Sequence, residues 1–350
     1  MKKRKDGRYC RKVTLNDSTT KYFYSSASTE RMAERDINRQ LLEYKEAKEY
    51  EKHNFLSLAT RMLEEKEGST SYNGYQSYVC SLKHLEPFYD MPIEEITPSM
   101  LQRVVDDMAA KQYAYGTIAK VRVVFSMTVN YAIVQEDLRL VNFTAAIKIP
   151  RTVKHKKVTS PDDVVISAVS SNAETVEFGM WAMMELCTGL RRGELNALRK
   201  SDIDFEAKKI HVKYATEFIN NRPHLKEQPK TENGIRDVPI LSLVEQPLKN
   251  ICHGLQPGDF IFGKTEPYSL TMVRRRWDKY CRGIGHNFKQ HQLRHAYAKL
   301  LYCAGIDPKT MQHLLGHAKF ETTMNIYTEF ANEMTEQSVS KLNEYMSNRF

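Results

Sequence analysis

Apolar residues recur at intervals of three and four positions through a long stretch, from about residue 53 to residue 147. Phe55 and Leu58 belong to one such face, and Thr97-Pro98 places an N-cap residue before a proline that suits the first turn of a helix. This periodicity predicts amphipathic helices. A stretch of about 95 residues is long enough for one domain, so we predict a helical domain over residues 51–150.

The pattern changes to alternation beyond residue 200. Ile210, Val212 and Tyr214 alternate with polar residues, which predicts a strand. An irregular stretch follows as far as residue 228. Asn233-Gly234 then predicts a tight turn between strands, with Lys230 near its tip. Because helical spacing returns on both sides of this region, the predicted fold class is mainly α with small β-sheets (α+β).

The N-terminal segment is strongly basic and alternates polar with aromatic residues around positions 16–18. The alternation predicts a small β-sheet with a basic face, followed from about residue 28 by a capped amphipathic helix. The alternative is a solvated, frayed tail. We bound this module at residues 1–50. Its candidate residues for contact with an anionic partner are Lys2, Lys3, Arg4, Lys5 and Arg8.

A basic segment with a proline before it and no periodicity lies at residues 151–158. It is predicted to be a linker that contacts a polyanion, and a merely soluble linker is an equal alternative. Residues 159–350 form the remaining domain, and its last residues, Met334 to Phe350, carry apolar residues at helical spacing. The candidate residues for contact with a polyanion are Arg151, Lys154, Lys156 and Lys157 in the linker; those of the helical domain are Lys83, Lys120 and Arg122.

Charge and composition limit the partners. The 350 residues carry 52 Lys and Arg against 43 Asp and Glu, a net charge of +9, which favours an anionic partner. Charged and polar residues interrupt every long apolar run, and the basic N-terminus is not typical of a signal peptide. We therefore expect a cytoplasmic protein with no membrane partner. The six cysteines include no C-x-x-C pair, which argues against a zinc ribbon and a disulfide framework.

Two arginines are candidates for binding one phosphate. Arg191 follows Thr188-Gly189-Leu190 at a predicted turn into a helix, and Arg294 lies between two histidines. Each guanidinium can grip two oxygens if folding brings the arginines together. Arg192 competes with Arg191 for this role. Glu194, one turn further on, suits a residue that orients the arginine.

Histidines occur in two pairs with i, i+4 spacing, His291 with His295 and His313 with His317. Such pairs can bind zinc, but neither contains the intervening glutamate of the zincin motif, so we expect no metal site. Tyr327 lies in a threonine-rich context. An unperturbed phenol has a pKa of about 10, so it becomes a nucleophile only where cations stabilise its phenolate.

These motifs together resemble the tyrosine recombinase, or phage integrase, family. Five of them occur in the family's order across residues 159–329. Residues 53–147 resemble the family's core-type DNA-binding domain by position and pattern. The N-terminal sheet resembles the arm-type DNA-binding domain of lambda-like and conjugative-transposon integrases. The motifs are Thr188-Gly189-Leu190-Arg191 with Gly193-Glu194-Leu195, Lys230 before a turn, His291-x-x-Arg294-His295, Leu314-Leu315-Gly316-His317 and Ile326-Tyr327.

The resemblance implies a role for each catalytic candidate. Tyr327 attacks the scissile phosphate and forms a 3′-phosphotyrosyl bond, while two arginines hold the non-bridging oxygens. His317 donates a further hydrogen bond, His291 assists proton transfer and Lys230 protonates the leaving oxygen. No cofactor is implied, because the ester retains the energy of the broken DNA bond. The full implied set is Arg191, Lys230, His291, Arg294, His317 and Tyr327, with Glu194 behind it.

The resemblance also implies the partners. They are double-stranded DNA with core-type and arm-type attachment sites, three further copies of the chain acting through a Holliday junction, an excisionase and a host DNA-bending protein. Residues 334–350 are expected to dock on a neighbouring protomer, with packing onto their own domain as the alternative. Two other functions stay open: a non-catalytic DNA-binding protein with this fold, and a topoisomerase IB-like enzyme that nicks and closes one duplex.

Overall fold

The structure, a computed structural model, describes residues 1–14, 20–154, 160–227, 234–333 and 346. The chain divides into two compact units, Met1–Lys156 and Lys157–Phe350. The linker residues Lys156 and Lys157, the turn residue Asn233, the catalytic candidate Lys230 and nearly all of the segment 334–350 lie outside the described residues.

The first unit begins with the predicted small sheet. Its antiparallel strands are β1 (Lys2–Lys3), β2 (Tyr9–Thr14) and β3 (Thr20–Ser25), in that order. Helix α1 (Glu30–His53) follows, and the side chain of its N-cap, Thr29, accepts a hydrogen bond from the backbone N–H of Met32. Phe23 of β3 and Ile37 of α1 are both buried, so sheet and helix share a small apolar contact.

Four helices build the rest of this unit: α2 (Phe55–Lys66), α3 (Tyr72–Leu82), α4 (Pro98–Ala110) and α5 (Tyr115–Gln135). The predicted cap at Thr97 is present, with its hydroxyl accepting from Met100 N. Phe55 stacks on Phe125 of α5, with ring centroids 5.4 Å apart. The residues with 3.6 periodicity therefore do form the core of a helical bundle.

Helix α5 is long and apolar enough, by length and composition alone, to match a membrane-spanning segment, contrary to the expectation from the sequence. It is the only helix among the described residues that does so. Its apolar positions are nevertheless used inside the bundle, where Ile118, Val121 and Phe125 are fully buried. A core helix covered on one side by its neighbours accounts for this composition.

The second unit is organised around α7 (Gly179–Thr188), in which every residue is buried. The surrounding helices pack their apolar faces on it and on each other. Asp162 caps the first of them by accepting from Val165 N. The other helices are α6 (Asp163–Ser171), α8 (Arg192–Ala197), α9 (Ser242–Cys252), α10 (Leu270–Gly283), α11 (Gln290–Cys303), α12 (Pro308–Leu315) and α13 (Phe320–Glu333).

Two small antiparallel sheets complete this unit. One contains β4 (Ile203–Asp204), β5 (Lys209–Val212) and β8 (Arg236–Pro239); the other is the hairpin of β6 (Tyr214–Ile219) and β7 (Arg222–Glu227). The sequence was expected to be irregular between residues 214 and 228, and that prediction is wrong. Asn220 and Asn221 both have positive φ, as a two-residue type I′ hairpin turn requires.

The predicted hairpin around Lys230 is not the arrangement of the strands that flank it. Strand β7 pairs with β6, whereas β8 pairs with β5 in the other sheet. Val238 of β8 and Ile210 of β5 are fully buried, and this shared apolar face explains why β8 joins β5. Strand β7 is mostly exposed and has no such face to offer.

Candidate active site

Arg191 is positioned by the start of α8. It is the N-cap residue, and its backbone N–H donates to Glu194 Oε2 at 2.9 Å while its Nη1 donates to Glu194 Oε1 at 2.8 Å. Its side chain keeps 43% of its surface exposed. Arg192 instead lies over the ring of Phe218, at 5.4 Å from the centroid. The two arginines thus have different contacts in the structure, and Arg191 is the one that is hydrogen-bonded to Glu194.

Arg236 is a buried arginine that the sequence analysis did not single out. Its Nη1 and Nη2 donate to Glu194 Oε1 and Oε2 at 3.1 and 2.8 Å. Its position does carry a signal, because it alternates with the buried Val238 of β8 and with Ile240 just beyond that strand. A cation at such a position needs a buried partner.

Glu194 is the acid that both arginines share. Its side chain is 1% exposed. Burial alone would raise the pKa of Glu194, but the hydrogen bonds and charges of Arg236 and Arg191 outweigh it and lower that pKa to about 2. The carboxylate is therefore ionised at physiological pH.

Arg294 lies on α11, which packs against α7, and it is buried. Its Nη1 donates to the carbonyl of Gly189 at 2.5 Å, and its Nη2 donates to the carbonyl of Leu315. Gly189 ends α7 with a φ of +62°, and a Cβ there would lie 2.3 Å from the ring of Tyr297. A glycine is thus required for the chain to turn so close to α11.

Three guanidinium groups, those of Arg191, Arg236 and Arg294, converge on the C-terminal end of α12; we call them the arginine cluster. They donate to three consecutive carbonyls: Arg236 Nε to Leu314 at 3.0 Å, Arg294 Nη2 to Leu315, and Arg191 Nη2 to Gly316 at 2.6 Å. The last carbonyls of a helix carry a partial negative charge. The end of α12 therefore offsets part of the positive charge that the arginine cluster concentrates.

His317 follows directly and is buried beside the arginine cluster. Its carbonyl accepts from Gln312 Nε2 at 3.0 Å, and its Nδ1 is 2.9 Å from Thr323 Oγ1. Desolvation, followed by the charges of the arginine cluster, lowers the pKa of His317 to about 3. The ring is therefore neutral at physiological pH.

His291 occupies the first turn of α11. Its ring meets that of His295 edge-on, with centroids 5.2 Å apart. Although its side chain reaches the surface, partial desolvation and then the nearby positive groups, Arg294 among them, lower the pKa of His291 to about 4. The charges of Arg191 and Arg294 contribute to the lowered pKa of both histidines, so both rings lie within electrostatic range of the arginine cluster.

Tyr327 lies on α13, which packs against α11 and α12. Its half-buried ring contacts Tyr302 edge-on, with centroids 4.6 Å apart. Thr323, which bonds His317, lies one turn before Tyr327 on the same helix. The tyrosine helix is thus joined to the arginine cluster through His317.

The basic residues predicted at the N-terminus are exposed on the sheet and are interleaved with aromatic rings. Lys3 Nζ lies 5.3 Å from the ring centroid of Tyr9, and the guanidinium groups of Arg4 and Arg8 lie 5.4 and 5.3 Å from that of Tyr24. Arg8 is also paired with Asp6 at 2.9 Å. Lys2 and Lys5 are exposed as well.

The remaining predicted DNA contacts differ in their surroundings. Lys83, Arg151 and Lys154 are exposed. Lys120 Nζ lies 5.2 Å from the ring centroid of Tyr78. Arg122 is half-buried and donates to the carbonyl of Thr144 at 3.1 Å, so its guanidinium serves the fold of the bundle.

Within the described ranges, no group of three or more His, Cys, Asp and Glu is placed to hold a metal ion. What the described residues bring together is a set of charged and neutral hydrogen-bond donors: three guanidinium groups and two neutral imidazoles beside a tyrosine helix. Donors fixed in a partly desolvated site suit the charge that develops on a phosphoryl group during displacement.

Sequence comparison places these residues within known families. Residues 164–334 match the model described as "Phage integrase family", and residues 54–149 match "Phage integrase SAM-like domain". A protein named "Tyrosine recombinase XerC-like", from Caldanaerobacter subterraneus subsp. tengcongensis, is 27% identical over 322 residues, 83% of this chain and 81% of that protein. The transposase from transposon Tn916 of Enterococcus faecalis is 22% identical over 72% of this chain and 67% of its own length.

Solved structures share the fold. The Tn1549 transposon integrase in complex with transposon right end DNA superposes with a TM-score of 0.66 at 22% identity, covering 81% of this chain and 99% of that one. A lambda integrase dimer bound to a COC' core site gives a TM-score of 0.57 at 17% identity, covering 93% of each chain. The predicted α+β architecture is confirmed by these similarities.

Proposed function

Because the chain belongs to the phage integrase family of tyrosine recombinases, we propose that Arg191 and Arg294 of its arginine cluster bind the scissile phosphate of DNA and that Tyr327 attacks it. The protein is a tyrosine-type site-specific recombinase, of the kind that integrates or excises mobile elements. The observation that carries the assignment is the convergence of Arg191, Arg294 and His317 beside the helix of Tyr327.

The two arginines suit the non-bridging phosphate oxygens. Arg191 is partly exposed and held from behind by Glu194, while Arg294 is anchored by two carbonyls. The named bonds use two side-chain N–H groups of each guanidinium, which has five donors, so each can also contact an anion. His317 is held through Nδ1, which leaves Nε2 to donate to a phosphate oxygen in the matching tautomer.

Tyr327 forms a 3′-phosphotyrosyl ester and releases a 5′-hydroxyl in this mechanism. The cations of the arginine cluster stabilise the phenolate and the pentacovalent oxygens, which a phenol needs in order to react near neutral pH. His291, neutral and at the surface, assists proton transfer. Lys230 protonates the leaving oxygen, from a segment outside the described residues. The phosphotyrosyl ester retains the energy for rejoining.

Tyr327→Phe tests this proposal. The variant should bind attachment-site DNA as the wild type does and should form no covalent adduct on a suicide substrate, because the attacking oxygen is gone. The matched control is Tyr302→Phe, which removes the hydroxyl of the ring in contact with Tyr327 and should leave adduct formation intact. Gel separation of the protein–DNA adduct measures both. A normal adduct yield from Tyr327→Phe would remove it as the nucleophile.

The recombinase function also assigns a role to each domain of the chain. We assign residues 1–50 to arm-type DNA, 51–150 to core-type DNA, 151–158 to a basic linker, and 159–350 to catalysis with a C-terminal segment that docks on a neighbouring protomer. Double-stranded DNA is the substrate of a cytoplasmic homotetramer, with an excisionase and a host DNA-bending protein as accessory partners. The basic residues interleaved with tyrosines on the N-terminal sheet support the arm assignment.

Incubation of the protein with two plasmids that each carry an attachment site distinguishes a recombinase from a topoisomerase-like enzyme and from a non-catalytic DNA-binding protein. Recombinant products support a recombinase. Relaxation of each plasmid without exchange would indicate a topoisomerase-like enzyme, and binding without either product would indicate a non-catalytic DNA-binding protein.

A further inference from the structure

Arg236 is the side chain at which three parts of the active site meet. It is fully buried and makes three directed hydrogen bonds: two to the oxygens of Glu194, at 3.1 and 2.8 Å, and one from Nε to the carbonyl of Leu314, at 3.0 Å. No function has been given to it so far beyond balancing a buried charge.

Each of these bonds leads to a residue of the proposed mechanism. Each oxygen of Glu194 also accepts a hydrogen bond from Arg191, so Arg236 and Arg191 share one carboxylate. Leu314 lies three residues before His317, in the last turn of α12. Arg236 is also the first residue of β8, the strand that follows the segment carrying Lys230.

Packing does not fix the direction of Arg191, because 43% of its side chain is exposed. Its guanidinium is fixed instead by Glu194 and by the carbonyl of Gly316. The plane of that carboxylate is in turn fixed by the paired bonds from Arg236. Without these bonds, Glu194 would lose two of the contacts that fix its carboxylate, and the direction of Arg191 would change with it.

Stability alone is a poor reason for this arrangement. A buried ion pair contributes little net stability compared with well-packed apolar residues, since desolvation offsets the attraction. Val238 lies on the same inward face of β8 and the buried Ile240 follows just beyond the strand, so an apolar side chain would suit the position. Gly316 is also shaped to admit the guanidinium, because a Cβ there would lie 2.7 Å from Arg236 Nη1.

We propose that Arg236 is a positioning residue for DNA cleavage: it orients Arg191 through Glu194 and holds the end of α12 that presents His317. The inference rests on the proposed roles of Arg191 and His317. Arg236 itself stays behind them and acts without touching the phosphate.

Arg236→Lys is the primary test, because it keeps the buried charge but cannot make the paired bonds to Glu194 together with the bond to Leu314. Single-turnover adduct formation on saturating suicide substrate should fall by about 10-fold to 100-fold, the range expected when a reacting group is misplaced by a fraction of an ångström to an ångström. DNA affinity should be unchanged. The matched control is Lys209→Met, which removes an exposed cation paired with Asp237 on the adjoining strand and should leave cleavage unchanged.

A second variant separates positioning from folding. Arg236→Met removes one of the cations that face Glu194; the others are Arg191 from the start of α8 and Arg294 from α11. The pKa of Glu194 should then rise, so that the ratio of variant to wild-type cleavage rates falls further as pH drops from about 8 to about 5. Denaturant titration at each pH establishes that the variant is folded, and in the folded variant a ratio independent of pH would contradict the positioning role.

The double variant E194Q/R236M removes both buried charges and should regain folding stability without regaining cleavage. Recovery of cleavage along with stability would overturn the proposal, as would wild-type rates from Arg236→Lys. These failures would leave the proposed function intact, because Tyr327→Phe would still lose the adduct that the wild type forms. If the wild type formed no adduct, both the proposed function and this inference would fall.

Discussion

His317 shows how the arginine cluster acts on a single residue. Its ring is buried next to three guanidinium groups, and that surrounding holds its pKa at about 3 in place of the ordinary 6.5. A neutral imidazole can donate one hydrogen bond to a phosphate without adding to the repulsion among the arginines. The same feature links protonation to folding.

Between these two pKa values the unfolded chain binds a proton at His317 that the folded chain excludes. Stability is therefore complete above pH 6.5 and falls as pH drops towards 3. From pH 7 to pH 5 we expect the unfolding free energy to fall by about 1–2 kcal/mol through this residue. Denaturant titration followed by tryptophan fluorescence measures it in the second unit alone, since Trp181 and Trp277 are the two tryptophans of the chain.

His317→Gln should remove this part of the pH dependence. The exposed His313→Gln, in the last turn of α12, is the matched control and should keep the wild-type profile. Equal profiles for the wild type and His317→Gln would contradict the linkage.

Single residues also show where sequence reasoning stops. Arg191, Arg294 and His317 were reachable because each sits in a short motif, and the structure brings all three together. Spacing alone left Arg191 and Arg192 open and the family resemblance selected Arg191, which is the one that contacts Glu194 in the structure. Arg236 was missed because its partner lies 42 positions away in the sequence.

At the scale of helices and turns, the close packing at the end of α7 predicts that Gly189 tolerates no larger residue without loss of stability. A Cβ at Gly189 would meet the buried ring of Tyr297 at 2.3 Å in a left-handed backbone conformation. Gly189→Ala should therefore lower the unfolding free energy by about 2–4 kcal/mol, combining backbone strain with overpacking. Tryptophan-detected denaturation measures this loss.

The control for that change is Gly305→Ala. Gly305 also has a positive φ, of +75°, but nothing lies within 4 Å of its added Cβ. It should lose only the strain contribution, about 1 kcal/mol. Equal losses at the two positions would contradict the close approach of α7 to α11.

Elements with a strong local signal were predictable, and those set by distant partners were not. The helices of residues 55–135 follow from period and caps such as Thr97. Strand β8 was expected to turn back on its neighbour, but pairing with β5 buries its apolar face. Helix α9 was missed because Pro247 lies inside it, although Val244, Leu248 and Cys252 mark its buried side.

For the molecule as a whole, the N-terminal module is predicted to be separable. Deletion of residues 1–52 keeps Asn54, whose side chain caps α2 by accepting from Ser57 N at 2.8 Å. The truncated protein should lose binding to distal arm-type sites and still cleave core-site DNA. Its affinity for DNA with both sites should also depend less on salt, by about one unit of slope for each phosphate that the module neutralises.

Replacement of Lys2, Lys3, Arg4 and Lys5 by glutamine in the full chain is the companion variant. It should lose distal binding while keeping the sheet, because all four side chains are exposed. Equal loss of core cleavage and distal binding in either variant would contradict the assignment of residues 1–50 to arm-type DNA and of the rest of the chain to core-site cleavage.

The three backbone oxygens at the end of α12 affect the active site before DNA binds. Guanidinium groups of like charge repel one another, yet here each already rests on an oxygen. These bonds hold the guanidinium groups in place, and the remaining N–H groups of Arg191 and Arg294 stay available for a phosphate. The donors are therefore positioned before DNA arrives, which leaves little reorganisation for the cleavage step.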